Sequence, residues 1–509
     1  MDEPQPDGDG SELDQVVEEV LSEAHVRMGS LRPEERQYLK DHALKKPMGV
    51  LHIWALGVGV VITGEYFGWN PGLKAGGPIG MLIASLFVCA LYMLWVLGLA
   101  ELSVAMPFAG GPLAYGRRAV GPWLGFVMGW SMFLEALFAT IGTALATGGY
   151  IYYVLHLVSP GIDQGLTTTL AGLATVLIFA VVQWVGAGAQ AKATEWMTYG
   201  AIAVLIWFWV ACLPAVRMDR IWTEPLLTKG WEGVLKAIPF AIWWLVMIET
   251  VALAPEEAHE PQRTIPRGLT LAQVTLIVLV VMTLFVAAGA GNDPDKTGDD
   301  KISFPLPFVF EEVYPGTWQL IAFSVAALVG MVVSYNGMIY AVSRQSFALG
   351  RAGYLPRALG TVHSTRRTPT VSIIFWSLVV AGFVIWGYFN EKAILVAVVT
   401  CNVTALLWYA LAMLCLMILR VKAPELDRPY KAPFYPVLPI VVAGMSLFAA
   451  VLCLWYPTAE VESHNWFSDY IVLWLTLVMY AVGLLYYFGY ARTRLVRAAP
   501  EELASREAG

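Results

Sequence analysis

Apolar runs of about 20 residues recur along almost the whole chain, separated by short polar or charged segments, and each is long enough to cross the hydrocarbon core of a bilayer as a helix. Twelve spans are predicted, near residues 48–69, 77–105, 121–157, 167–186, 193–214, 234–256, 268–290, 317–347, 371–389, 392–420, 434–456 and 468–491. The third, eighth and tenth are long enough to tilt or to extend past the membrane. Ahead of them, residues 11–46 predict a polar amphipathic helix with Val16, Val17, Val20 and Leu21 as its apolar stripe. The first ten residues and the tail after Arg497 are polar and are expected to be solvated. No charged n-region leads into a short apolar core, so no cleavable signal is expected.

Composition agrees with this pattern. Of 509 residues, 58% are hydrophobic and only 14% charged, with a mean hydropathy of +0.62, whereas a soluble domain carries about 25% charge. The expected class is an all-α polytopic membrane protein. Placing both termini in the cytoplasm puts 24 of the 32 Lys and Arg residues on that side, as the positive-inside rule requires, and an even number of spans follows. The expected location is a cell membrane, bacterial by type. The five cysteines all fall in apolar spans and match no metal spacing, so they read as small core residues, with no disulfide framework.

Three spans carry an acid with no Lys or Arg beside it: Glu65, Glu135 and Glu249. A carboxylate near mid-bilayer costs roughly 2.5–3.5 kcal/mol, so it marks a functional site by default. Acids without basic partners make a negative cavity, which suits a cation such as an organic amine. The first span reads Leu56-Gly-Val-Gly-Val-Val-Ile-Thr-Gly-Glu-Tyr-Phe-Gly-Trp69. Gly weakens a helix interior by roughly 0.5–1 kcal/mol relative to Ala, and a Glu adds nothing to close packing. Ile62, Thr63, Gly64, Glu65 and Tyr66 are therefore candidates for a broken helix that lines a site. Gly57 and Gly68 fit a tight helix contact equally well.

The sixth span lies five helices later, at the corresponding place if helices 1–5 and 6–10 are inverted repeats, and paired interrupted helices point to a transporter's midplane site. Pro239 and Pro255 flank it and Glu249 interrupts its apolar face. Trp243 and Trp244 offer aromatic faces to an ammonium, each worth roughly 0.5–2 kcal/mol, though core packing accounts for either. In the third span, Trp130-Ser-Met-Phe-Leu-Glu135 carries Ser131 and Glu135, and Glu135 has two readings, a functional one and a structural one in which it caps a broken helix end or bonds a neighbour's hydroxyl. Glu101, near the end of the second span, reads as a fastener between helices. Glu195, at the start of the fifth, reads as an acid favoured by the helix dipole.

Four stretches resemble the amino acid–polyamine–organocation permease superfamily, and within it the ethanolamine permeases. They are Ile62–Asn70, Ala100–Pro112, Ala254–Gly268 and Ser343–Pro356, and the likeness covers about residues 45–490. The resemblance implies a LeuT-like five-plus-five inverted repeat with broken helices 1 and 6, two further C-terminal helices, and alternating access. The expected division is 1–46 polar N-terminal segment, 47–216 first repeat, 217–421 second repeat, 422–492 last two helices and 493–509 tail. Amino acid permeases of this superfamily hold a substrate carboxylate on the amides of the first break. Here Glu65 follows Gly64, where those relatives usually carry an apolar residue, and an acid there repels the anionic end of a zwitterion. Met247 is a second departure, at a position where Gly or Ala is usual.

The expected function is import of ethanolamine or a similarly small amine. Its ammonium would lie on carbonyls of helices 1 and 6 with Glu65, Glu135 or Glu249 as counter-ion. Trp243 would cover it and Thr63 or Ser131 would bond its hydroxyl. A permease for a zwitterionic or cationic amino acid is the nearer alternative. Partners are the amine, lipid, and a coupling proton or cation; the helix 5 Lys of proton-driven relatives has no counterpart in 196–214, so a titrating Glu, a bound cation, exchange and uniport all stay open. No cofactor, metal site or nucleic-acid partner is implied. The absence of a Ser/His/Asp set, a phosphate loop or a ring of charges argues against an enzyme, a sensor or a channel.

Overall fold

The structure, a computed structural model, describes residues 33–34, 37–38, 48–108, 110–185, 187–299, 302–316, 318–390, 392–456, 470–497 and 499. The amphipathic helix expected over 11–46 lies outside the described residues except for residues 33, 34, 37 and 38, which are helical. Among the described residues no strand occurs; a single parallel bridge joins Met48 to Ala258.

The first span is α1 (Val50–Val61) followed by a separate turn, Thr63–Tyr66. The second is α2 (Pro71–Ala105), kinked at Gly77, whose φ of +68° only glycine adopts readily, and at Pro78. A connecting helix α3 (Pro112–Ala119) leads into α4 (Pro122–Val158), the third span. The fourth and fifth spans are α5 (Gln164–Val185) and α6 (Ala187–Cys212). The sixth is α7 (Gly230–Ile242) plus a 3₁₀ segment, Ile248–Leu253. Then come α8 (Pro261–Ala290), a loop helix α9 (Pro305–Val313) and α10 (Trp318–Arg351). The last four spans are α11 (Thr370–Gly387), α12 (Ala393–Lys422), α13 (Val437–Trp455) and α14 (Ile471–Gly489).

Ten of these helices are long and apolar enough to cross a membrane; the two remaining spans are the broken first and sixth. The protein is thus an all-α, multi-pass membrane bundle. α10 and α12 each pack against α4, and α2 packs along α7 and α8. α4 is almost wholly buried, whereas α5, α11 and α14 turn most of their surface outward, where lipid replaces water and apolar exposure costs nothing.

The C-terminal ends of α2 and α12 meet on a basic face that carries Arg420 and Arg428. There Glu101 accepts two hydrogen bonds from Arg420 (2.9 and 2.5 Å) and one from the Ala432 amide (2.7 Å), with Arg428 3.5 Å away. It fastens α2 to the end of α12, as its position suggested. Glu195 lies near the start of the fifth apolar span, Lys192–Ala215, as expected. The helix itself begins two turns earlier, at Ala187, so the end dipole does not hold the acid, which instead faces His52 (3.4 Å) and Tyr199 (3.0 Å).

Candidate functional site

The first break has an identifiable cause. The Ser334 hydroxyl of α10 donates to the Gly59 carbonyl (2.7 Å) and accepts from the Thr63 amide (2.9 Å). Gly59 and Thr63 are four residues apart, so they would bond each other in a continuous helix. A side chain inserted into that ladder is a recognised origin of a kink. Beyond it, the Glu65 amide turns tightly onto the Ile62 carbonyl (3.0 Å), and the Tyr150 hydroxyl donates to the Tyr66 carbonyl (2.6 Å). The Trp69 indole donates to the Glu65 carbonyl (3.0 Å). Carbonyls freed by the break are thus taken up by α4 and by the chain's own return, as burial demands.

The second break turns at Met247, whose φ of +81° is left-handed and rare for a side chain of that size. The Met247 amide donates to Glu249 Oε1 (2.9 Å), and Asn402 of α12 donates to the Pro239 carbonyl (2.8 Å). The two breaks touch. A Cβ on Gly64 would lie 2.5 Å from the Trp243 carbonyl oxygen, so only glycine lets the two backbones meet here. Trp243 lies edge-on to Phe67, with ring centroids 5.2 Å apart, and reaches Gly142 of α4. Its indole nitrogen is buried without a partner.

The three bare glutamates separate into one and two. Glu65 is fully buried, and neither of its oxygens accepts a hydrogen bond of regular geometry. Its polar neighbour is the Thr283 hydroxyl of α8, which the Trp209 indole also engages (3.2 Å). Glu135 and Glu249 lie together elsewhere, acting on each other and on the nearby Tyr409. The Trp408 indole donates to Glu135 Oε2 (2.6 Å). Among the described residues no Lys, Arg or His forms an ion pair with any of the three.

Other candidates have fixed places. Ile62, Thr63, Gly64 and Tyr66 form the first break, with the Thr63 hydroxyl against the Met331 sulfur (3.2 Å) and the Tyr66 hydroxyl on the Ala201 carbonyl (2.7 Å). Trp244 stacks on Trp69 at 4.7 Å and donates to Ser85 (3.1 Å), which is core packing. Ser131 bonds the Val127 carbonyl (2.7 Å) and the Tyr480 hydroxyl of α14 (2.5 Å), so it is turned to the twelfth span and not to the breaks. Sequence reasoning missed Ser334, Asn402, Trp408 and Tyr409. Each is an ordinary polar or aromatic residue in an apolar span, and its role exists only in the packed bundle.

Past the sixth-span break the chain runs into buried ion pairs. Arg344 contacts Glu257 (2.7 Å), which also accepts from Tyr340 (2.9 Å), and Arg351 grips Glu256 with two bonds (2.8 and 3.0 Å). These pairs tie the segment after the sixth span to α10.

An all-helical bundle with touching breaks in its first and sixth spans defines a transporter architecture. The sequence model of the family described as amino acid permease matches residues 48–482, and the chain belongs to that family, whose LeuT-like fold agrees with the architecture here. It is similar to the methylthioribose transporter of Bacillus subtilis, 27% identical with 89% of this chain and 95% of that one aligned. It also resembles the branched-chain amino acid permease of the same organism, at 24% identity over 89% and 94% of the two chains. The histidine permease of Lactococcus lactis is likewise 24% identical over 88% and 95%. The protein is a permease, not an enzyme.

Proposed function

We propose that this permease imports ethanolamine or a similarly small organic amine by alternating access, with Glu65 as counter-ion to the ammonium. The observation that carries the reading is the Glu65 side chain, fully buried next to the Gly64–Trp243 contact of the two breaks, with no Lys, Arg or His paired to it among the described residues. An uncompensated buried charge costs several kcal/mol, and a bound cation removes that cost. Trp243 covers the site from one side. We place the protein in a cell membrane, bacterial by type, with the basic face and both termini in the cytoplasm. Residues 47–216 and 217–421 are the two repeats, and the first, second, sixth and seventh spans rock against the rest.

A second reading, a permease for a zwitterionic or cationic amino acid, draws on relatives named for branched-chain amino acids and histidine. One experiment separates the two: thermal unfolding of the purified protein and of Glu65→Gln with ethanolamine, L-leucine, L-histidine and methylthioribose. A ligand at 100 times its Kd stabilises by about 2.7 kcal/mol. Ethanolamine is expected to stabilise the native protein and not the variant. Equal stabilisation of both by leucine or histidine would overturn the amine reading in favour of the second.

A further inference from the structure

Glu135 and Glu249 take no part in the proposed amine site, yet they are brought together from α4 and the sixth-span break. Each carboxyl has one oxygen held by a nitrogen donor, Trp408 Nε1 for Glu135 and the Met247 amide for Glu249. Glu135 Oε1 and Glu249 Oε2 are buried with no regular donor, and the carboxyls contact each other and Tyr409. Two carboxylates at contact distance cannot both be ionised, and a hydrogen bond between them needs a proton. The titratable groups facing the pair are Tyr92 of α2, Cys401 and Tyr409 of α12, and Tyr480 of α14. Among the described residues no cation neutralises it, so a proton is the charge that matches the place.

We propose that the Glu135–Glu249 pair binds the coupling proton of this transporter. The role presupposes transport as proposed above. Glu249 sits two residues past the left-handed Met247, on the short 3₁₀ segment of the sixth span, which moves in the rocking proposed above. Glu135 sits in the middle of a continuous 37-residue helix. Opening therefore parts the two carboxyls. Once apart and wetted, each is better solvated as an anion, and the shared proton leaves to water on the open side. Closing the break again requires a proton from whichever side is then open. Substrate movement and proton movement are locked to the same rearrangement, with no change of covalent bonding beyond one O–H.

Two measurements on the full-length protein test this. Infrared difference spectra of the purified protein, with Glu135→Gln and Glu249→Gln beside it, read the carbonyl stretch of a protonated carboxylic acid without any substrate. A protonated-acid band at neutral pH, lost in both variants, is expected; spectra without that band, or unchanged in both variants, overturn the proposal. In liposomes, labelled ethanolamine and L-leucine serve as probes. Native accumulation should follow an imposed inward proton gradient, while in Glu249→Gln the ratio of uptake with the gradient to uptake without it should fall to one. A gradient response retained in Glu249→Gln overturns the proposal. If neither probe enters native liposomes, the amine and amino acid readings fail, and the infrared band alone decides whether the pair holds the proton.

Discussion

At Gly64 a missing methyl group is the functional feature. With the Trp243 carbonyl 2.5 Å from where a Cβ would be, Gly64→Ala must force the two breaks apart. Uptake by liposomes carrying this variant is expected to be lost, with the bundle still folded by circular dichroism. Glu101 behaves differently, as a purely mechanical acid. Removing one partner of a buried ion pair costs about 3–5 kcal/mol, and Arg420 is partly exposed at 18%, which puts Glu101→Ala at the low end. A thermal melt should fall clearly while the affinity for substrate in the remaining folded protein stays unchanged. The residue scale was legible unevenly. Glu101 was readable as a fastener because it lies near a helix end facing basic loops. Ser131 read as a ligand for a hydroxyl, yet it bonds Tyr480, 349 residues away in sequence. No local pattern carries such a pairing.

Among the elements, the two broken spans show what sequence can and cannot give. The cluster Thr63-Gly64-Glu65 marks the place of the first break, but its cause is a hydroxyl 271 residues further on. Ser334→Ala removes that wedge and lets the Gly59 carbonyl and the Thr63 amide bond directly. Each hydrogen bond is worth roughly 0.5–1.5 kcal/mol net, so stability should change little while uptake falls at least tenfold. The sixth span breaks at Met247, the residue that seemed least suited to it. Left-handed backbone costs a non-glycine residue roughly 1–2 kcal/mol, but emptying a buried Met site costs about 2–5 kcal/mol. The second term wins, so Met247→Gly should lower the melting temperature despite relieving the turn. The short helix α9 went unpredicted because nine residues in a polar loop carry too weak a periodic signal.

Across the whole molecule, hydropathy made the twelve spans legible, since each must satisfy its backbone internally and hide it in apolar side chains. The meeting of the first and sixth spans was expected from the resemblance, but the separation of Glu65 from the Glu135 and Glu249 pair was not legible. The same holds for the closure at the basic face, where Glu256 and Glu257 meet Arg351 and Arg344. Under the alternating access proposed above, these pairs join a segment that moves to a helix that stays. Glu257→Gln should therefore favour the conformation open to that face. All five cysteines are free and buried, which makes them built-in reporters: a thiol reagent should label Cys401 or Cys89 several-fold faster in the variant, read by mass spectrometry. Unchanged labelling would show that the ion pairs do not restrain opening.

The Ser334 wedge has a consequence for how the chain is made. Its α10 donor is synthesised long after α1 has entered the membrane, and before then nothing separates Gly59 from Thr63. The first helix should therefore insert as one uninterrupted rod and acquire its bend only when the eighth arrives. A growing chain halted before residue 334 would hold a straight anchor and no receptacle for cargo, so competence comes late and all at once.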